Sequence, residues 1–478
     1  MHDIHTIDPV SRIEGHAKIT LHLDDDGAVA DARFHVTEFR GFEEFCRGRP
    51  LAEMPGLTAR TCGICPVSHL LASAKATDAI LAVSIPPAAR LQRQLANLGQ
   101  IVQSHVLSFF HLSAPDLLLG MDAEPATRNV FGLMAAEPEL VRSGIRLRQF
   151  GQEVIASVAG EKIHGKGIVP GGVAQPFTSE AREPLRAKLD ESLGAATETL
   201  SLLQEIEERL SREVATFGRF PSLYLAHSAP DGTWEHIDGH LKVIDSEGAT
   251  VVDQLDPAEY RTVLGEAAAK DSYLKVPYWK PLVTDGDPRT GMYRVGPLAR
   301  INIADRFGTP IADAGLDALR DRVGRIASSS FHYHHARVLE VIAGIERIAA
   351  ILDDPVLLDP HVRAQAGINR RRGVGASEAP RGTLFHDYEV DEHGLITAVN
   401  LIIATGQNEL AMNRTILEIA REFVDGPTLT DGVLNRIEAG IRAYDPCLSC
   451  STHALGQMPM VLQLVAPDGE VVCERQRS

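Results

Sequence analysis

Two cysteine pairs stand at opposite ends of this chain: Cys62-Gly63-Ile64-Cys65, inside Arg60–His69, and Cys447-Leu448-Ser449-Cys450, inside Asp445–His453. A C-x-x-C turn brings two thiolates within reach of one metal ion. Two such turns supply four sulfurs, a soft set suited to zinc, an iron–sulfur cluster or another thiophilic metal. Zinc ribbons separate their pairs by about 15–20 residues, whereas Cys65 and Cys447 lie 382 positions apart. That gap argues against a local zinc knuckle. It argues for a metal in the core of a large domain whose two ends meet. On chemistry alone, two independent sites or no site remain the alternatives.

The neighbouring elements must position these sulfurs. Pro66 to Val83 reads as a helix, with proline near the first turn, where its missing N–H costs little. Cys65 then lies at a helix N-terminus, where free N–H groups and the dipole favour thiolate. Ala17–His22 and Ala28–Val36 read as a hairpin interrupted by Asp24-Asp25-Asp26-Gly27. Ala88–Ser113 reads as a long helix. Ser179–Thr216 reads as another, with Leu185, Leu189, Leu193, Ala196, Leu200, Leu203, Ile206 and Leu210 on one stripe. Ala312–Leu352, Leu410–Val424 and Leu434–Ala443 also read as helical. Residues 224–305 are richer in Gly, Asp and aromatics and read as a β-rich elaboration, with strands at His240–Asp245 and Thr250–Gln254. The expectation is a mainly α (α+β) fold: one domain over 1–478, long helices in a bundle, β-hairpins at its periphery and the metal pairs at its edge.

With 478 residues, 44% of them hydrophobic, the chain buries one large core or two modest ones. A net charge of −17 disfavours nucleic acid as a partner. Only six cysteines occur, and Cys46 and Cys473 alone lie outside the pairs, which fits a reducing compartment better than a disulfide scaffold. No apolar run approaches the ~20 residues a bilayer requires, and Met1–His5 is not a secretory signal. A cytoplasmic location is expected.

The motifs R-x-C-G-x-C-x-x-x-H and D-P-C-x-x-C-x-x-H, complete at Arg60–His69 and Asp445–His453, resemble the large, catalytic subunit of [NiFe] hydrogenases. Arg12-Ile13-Glu14-Gly15-His16, Phe39-Arg40-Gly41-Phe42-Glu43, Pro170-Gly171-Gly172 and Glu378-Ala379-Pro380-Arg381-Gly382 extend the resemblance, in family order, over essentially the whole chain. Within the family the chain looks most like the soluble, bidirectional NAD(P)-coupled type. The resemblance implies the large-subunit fold and reversible heterolytic cleavage of H2. It also implies nickel bound by Cys62, Cys65, Cys447 and Cys450, with Cys65 and Cys450 bridging to an iron that carries CO and cyanide. It makes Cys447 the first proton acceptor and Glu14 the next. The alternative for Glu14 is a salt bridge with Arg12. Arg381 overhangs the metal and Asp445 lies near it; the alternatives are a surface arginine and a turn-forming aspartate. Leu384 and Thr405 pack around the diatomic ligands, and His69 hydrogen-bonds a bridging sulfur. Glu43 and His453 bind Mg²⁺. The chain departs from many relatives at Ser104, where they place a carboxylate, and at Ala404, where they place proline. His332-Tyr333-His334-His335 invites a metal reading, but only His332 and His335 share a helix face, and a packing or interface role is the simpler account.

The sequence carries no G-x-G-x-x-G after a strand, no P-loop and no further cysteine cluster. The resemblance therefore implies partners: a small iron–sulfur subunit, and diaphorase subunits bearing Fe–S clusters, FMN and NAD(P). It also implies a maturation chaperone and an endopeptidase that cuts after His453 and releases residues 454–478, whose Met458–Leu462 and Val471-Val472 read as short strands. The alternatives are a hydrogenase using another electron acceptor, an H2-sensing regulatory subunit, and a non-catalytic descendant of the fold like the related subunit of respiratory complex I. Retention of all four cysteines counts against the last.

Overall fold

The computed structural model describes residues 4–269, 272–424, 430–452, 460–465 and 471–477. Its centre is a set of long helices, Pro87–Leu107, Pro138–Ala159, Leu189–Arg209 and His332–Asp353. Pro87–Leu107 packs on Pro138–Ala159 and on His332–Asp353, which in turn packs on Leu189–Arg209. Leu95, Leu98, Ile101, Val102, Val154, Leu203, Leu339, Ile342 and Ile345 fill the space between them and are all buried. Leu95, Leu98 and Ile101, and Leu339, Ile342 and Ile345, recur three apart, a spacing that builds one apolar stripe.

Two small antiparallel sheets flank the site. The first orders Ile4–Ile7, Ala17–Leu23 and Val29–Val36. Its second turn is fixed by Asp24, whose Oδ1 accepts the N–H groups of Asp26 and Ala28 at 3.0 and 2.9 Å. The second sheet orders Arg372–Ala379, Gly382–Val390 and Ile396–Ile402. Ala379 pairs with Gly382, so Pro380-Arg381 forms a two-residue turn. This sheet lies against the Pro66–Leu81 helix. The approach is close enough that a Cβ at Gly375 would sit 2.0 Å from the Ala72 carbonyl oxygen, so only glycine fits there.

Several expectations are corrected. The helix from Ala88 does not run unbroken to Ser113: it ends at Leu107, and a π-helical turn, Ser108–Ser113, leads into Ala114–Leu119. The Ser179–Thr216 stripe is carried by three helices, Ser179–Arg186, Leu189–Arg209 and Ser211–Thr216. Pro184 has no N–H for the ladder, and the first of them closes at Arg186. Ala312–Leu352 divides at Gly324, whose φ of 87° ends Pro310–Val323 before His332–Asp353 begins. From 223 to 305 lie the strands Leu223–Ser228, His240–Ile244, Thr250–Leu255, Leu264–Ala268, Lys275–Trp279 and Tyr293–Arg294, followed by the helix Pro297–Ile303. Met460–Val465 pairs with Val471–Arg477 as a hairpin. Among the described residues, no helix is long and apolar enough to cross a membrane.

The core also holds uncharged histidines. Burial pushes the pKa of His105 and His236 down to about 4, and of His227 and His334 down to about 3, from 6.5. Below pH 6.5 the unfolded chain binds protons at these rings while the folded chain does not. Their stabilisation is therefore complete above pH 6.5 and falls as the pH drops towards 4–3. The apparent melting temperature should decline over that window, and His227→Gln should flatten the slope; an unchanged slope in that variant would rule out the His227 contribution.

Candidate metal centre

The fold joins the two cysteine turns. Cys62 Sγ lies 3.3 Å from Cys447 Sγ, Cys65 Sγ lies 3.4 Å from Cys450 Sγ, and Cys447 and Cys450 are 2.8 Å apart. All four sulfurs fall within 4.8 Å of one another and all are buried. Cys65 precedes the first turn of Pro66–Leu81, and Cys447 precedes the single turn Leu448–Ser451, so both pairs meet helix starts. Cys62 Sγ accepts the N–H groups of Ile64 and Cys65 at 3.2 and 3.3 Å. Hydrogen bonds from the other cysteines, reinforced by His69, draw the Cys65 thiol well below its ordinary pKa. Burial pushes Cys447 and Cys450 well above theirs. Four such sulfurs ionise together only with a cation among them, and the set fits a thiophilic metal.

The N-terminal segment closes one side. Glu14 bridges Cys447 in parallel β fashion; its carbonyl accepts the Leu448 N–H at 3.2 Å, and its Oε2 accepts the Ser449 N–H at 3.0 Å. Arg12 turns away from it to Asp116, Leu112 and Asn435, which removes the salt bridge considered for Glu14. Arg381 is 4% exposed and reaches Asp445, through Nη2 to Oδ1 at 3.0 Å and through Nε to the carbonyl. Burial works against its charge, but Asp445 and the cysteines outweigh this and hold its pKa well above normal. Asp445 adopts φ 52°, just ahead of Pro446. Thr405 Oγ1 accepts the Cys447 N–H at 2.9 Å and keeps its own hydrogen to donate. Leu384, Thr405, Ala404, His69 and Arg381 line a narrow cavity beside the sulfurs.

At Ser104 the chain supplies no carboxylate, only a buried hydroxyl without a hydrogen-bond partner among the described residues. Glu43 is buried, with Oε1 taken by Lys275 at 2.5 Å and the Leu401 N–H at 2.8 Å; Oε2 has no partner among the described residues. His453, its expected companion, lies outside the described residues. His332 and His335 face the carboxylate of Glu207, at 3.8 and 2.9 Å, and Arg322 caps it at 2.8 Å. Both rings are thus gathered around Glu207.

Sequence reasoning missed the group that holds the Arg381 turn. Arg300 donates to both oxygens of Glu340 at 2.5 Å, to Glu378 Oε2 at 2.7 Å, and to the carbonyls of Ala379 and Pro380 at 3.0 and 3.1 Å. Glu378 Oε1 accepts from the His227 N–H and from Thr383 Oγ1 at 2.9 and 2.7 Å. Also missed were His386 and Tyr388, behind His69. The alternation of His386 and Tyr388 in Phe385–Glu389 was the available signal.

Residues 5–39 match a family described as HoxL-like, and residues 40–130 match the nickel-dependent hydrogenase family. The chain is 40% identical to the NAD-reducing hydrogenase HoxS subunit beta of Cupriavidus necator, covering 98% of this chain and 99% of that one. It is 39% identical to its counterpart in the F420-non-reducing hydrogenase of Methanothermobacter thermautotrophicus, covering 97% and 98%. A crystal structure of an NAD⁺-reducing [NiFe]-hydrogenase in the H2-reduced state superposes with a TM-score of 0.91 at 45% identity, covering 94% of this chain and 99% of that one. The Ni-Fe-Se hydrogenase of D. vulgaris Hildenborough shares the fold, with a TM-score of 0.75 at 23% identity over 95% of this chain and 100% of that one.

Arg300→Met should leave two buried carboxylates without their cation and cost about 3–5 kcal/mol. A fall in melting temperature, with loss of bound nickel as the Arg381 turn loosens, is the expected result. Wild-type values for both would show that the turn stands without Arg300.

Proposed function

The chain belongs to the [NiFe] hydrogenase large-subunit family, and we propose that it is the subunit that splits H2 in an assembly delivering the electrons to NAD⁺. The observation that carries the reading is the single buried cluster of four sulfurs from two distant turns, with Arg381 against it. The resemblance to NAD⁺-reducing relatives over nearly the full chain supports the acceptor. No second candidate metal cluster exists among the described residues, so electrons leave through partners. Flavin-bearing diaphorase subunits and a small iron–sulfur subunit fit that need.

When bound, nickel and an iron carrying CO and cyanide supply a redox-active surface for heterolysis. Cys62, Cys65, Cys447 and Cys450 would hold the metals, with Leu384 and Thr405 around the diatomic ligands and the Thr405 hydroxyl free to donate. Cys447 Sγ takes the first proton and Glu14 the next. The Glu14 carboxyl is fixed at Oε2 by the Ser449 N–H, which leaves its other oxygen for the proton. Arg381, kept cationic and pinned by Asp445, stabilises negative charge above the sulfurs. The unpartnered Glu43 Oε2 would hold Mg²⁺ together with His453.

The deciding experiment is H2-dependent NAD⁺ reduction by the purified complex. Absence of turnover in a nickel-replete complex would place the chain with the H2-sensing class. Glu14→Gln should keep its metals and lose about 10²–10⁴-fold in turnover; near-wild-type rates would make Glu14 structural. The reading also includes removal of residues 454–478. Intact-mass spectrometry of the active complex should find a large subunit ending at His453, and full activity with the tail retained would overturn that step.

A further inference from the structure

A line of buried polar groups begins at His69, which lines one cavity with Cys65 and helps lower the pKa of its thiol. Cys65, His69 and Ser73 are spaced four apart along one face of the Pro66–Leu81 helix, where they become neighbours. His386 and Tyr388 are spaced two apart on the strand Gly382–Val390, so both point to one side of it. Helix and strand pack together, and the two sets interlock. His69 Nδ1 lies 3.1 Å from His386 Nε2, His386 Nδ1 lies 2.5 Å from Tyr388 Oη, and Tyr388 Oη donates to Ser73 Oγ at 2.9 Å. His69, Ser73, His386 and Tyr388 are each at most 1% exposed. The His69 and His386 rings stand 5.3 Å apart, tilted by 57°, as an in-line nitrogen–nitrogen contact requires and stacking does not.

The chemistry of imidazole makes this consequential. Its two nitrogens are distinct, and the bond made by one decides what the other presents. The hydroxyl of Tyr388 has one hydrogen: while it is given to Ser73 the line of donors runs from His69 towards Tyr388, and when it turns to His386 the line runs the other way. In both senses His386 engages His69 Nδ1, but a neutral His69 carries its hydrogen on Nε2, where it can be donated to a metal-bound Cys65 sulfur, only when Tyr388 donates to His386 Nδ1 and His386 Nε2 donates to His69 Nδ1. Without His386 the ring could rotate or swap its nitrogens at little cost. Without Tyr388 the same freedom would pass to His386.

We propose that His386 and Tyr388 are positioning residues of the metal centre: through His69 they fix the direction and strength of the hydrogen bond to Cys65 Sγ, and so tune the electron density on one metal-bridging thiolate. Partners of this kind, one step removed from a ligand, typically change metal affinity or activity by about 10–100-fold. The inference rests on the hydrogenase reading given above, because it needs a metal on Cys65.

The test uses the purified, nickel-loaded complex carrying Tyr388→Phe, His386→Gln or His386→Leu. Phe keeps the ring of Tyr388 and removes only Oη; Gln keeps a polar group opposite His69 Nδ1; Leu removes it. Nickel content, melting temperature, the midpoint potential of the nickel signal in electron paramagnetic resonance, and turnover are measured together. Tyr388→Phe should retain nickel and its melting temperature while the midpoint potential shifts and turnover falls by about 10–100-fold. His386→Leu should shift the potential further in the same direction, and His386→Gln should lie between it and wild type. An unshifted potential in nickel-replete Tyr388→Phe and His386→Leu would overturn the proposal. So would loss of nickel and melting temperature together in Tyr388→Phe, which would make the line a packing element. A wild-type complex without nickel would instead sink the hydrogenase reading, so the two failures are distinguishable.

Discussion

Four sulfurs within 4.8 Å in a dry core cannot all carry charge unless a cation lies among them, and the rest of the structure is arranged around that constraint. The Cys62 sulfur takes two backbone N–H bonds, from Ile64 and Cys65. Arg381 adds a permanent positive charge that its neighbours keep from dissociating. The parallel bridge between Glu14 and Cys447 then closes the first and last parts of the site into one wall. The N–H bonds to Cys62 and the charge of Arg381 lower the cost of holding anionic sulfur away from water. The single charge of Arg381 cannot balance four thiolates, as a metal centre can.

Buried charge is handled differently in the scaffold. Arg300 meets two carboxylates and two carbonyls, so every donor is used and the guanidinium acts as a rivet between the His332–Asp353 helix and the Pro380-Arg381 turn. Glu340 stays ionised although fully buried: burial works against the charge, but Arg300 and His105 hold its pKa down to about 2. Arg337 is the contrast. It is buried, none of its guanidinium nitrogens has a hydrogen-bond partner among the described residues, and burial lowers its pKa to about 10. The scaffold thus saturates the arginine that carries the turn and leaves incomplete the one facing Asp445.

The site was legible where chemistry and local spacing coincide. The cysteine turns, the proline-led helix after Cys65 and the hairpin around Asp24 follow from residues close together in sequence. Arg381 and Glu14 were legible only through motif resemblance, because Arg after Pro reads as surface and Glu after Arg-Ile reads as a salt bridge. The sheet spanning 372–402 was not legible: Gly373 and Gly375 look like strand breakers, yet each is demanded by the backbone of the Pro66–Leu81 helix behind it. Arg300, Glu340 and Glu378 gave no local sign because their partners are 40 and 78 positions apart in sequence. The π-helical turn at Ser108–Ser113 keeps the same apolar pattern as the helix it interrupts, so periodicity could not place it.

The pairing of Cys62 with Cys447 across 385 positions also sets a clock. At about 5–20 residues per second of synthesis, the second pair leaves the ribosome about 20–80 seconds after the first. Throughout that interval the Cys62 and Cys65 thiols sit in a half-built pocket, with the Arg381 turn and the His386 strand arriving only near its end. A nascent chain therefore spends most of its synthesis with two reactive thiols lacking their eventual neighbours. Conditions that slow translation lengthen their exposure to oxidants and stray metal ions in direct proportion.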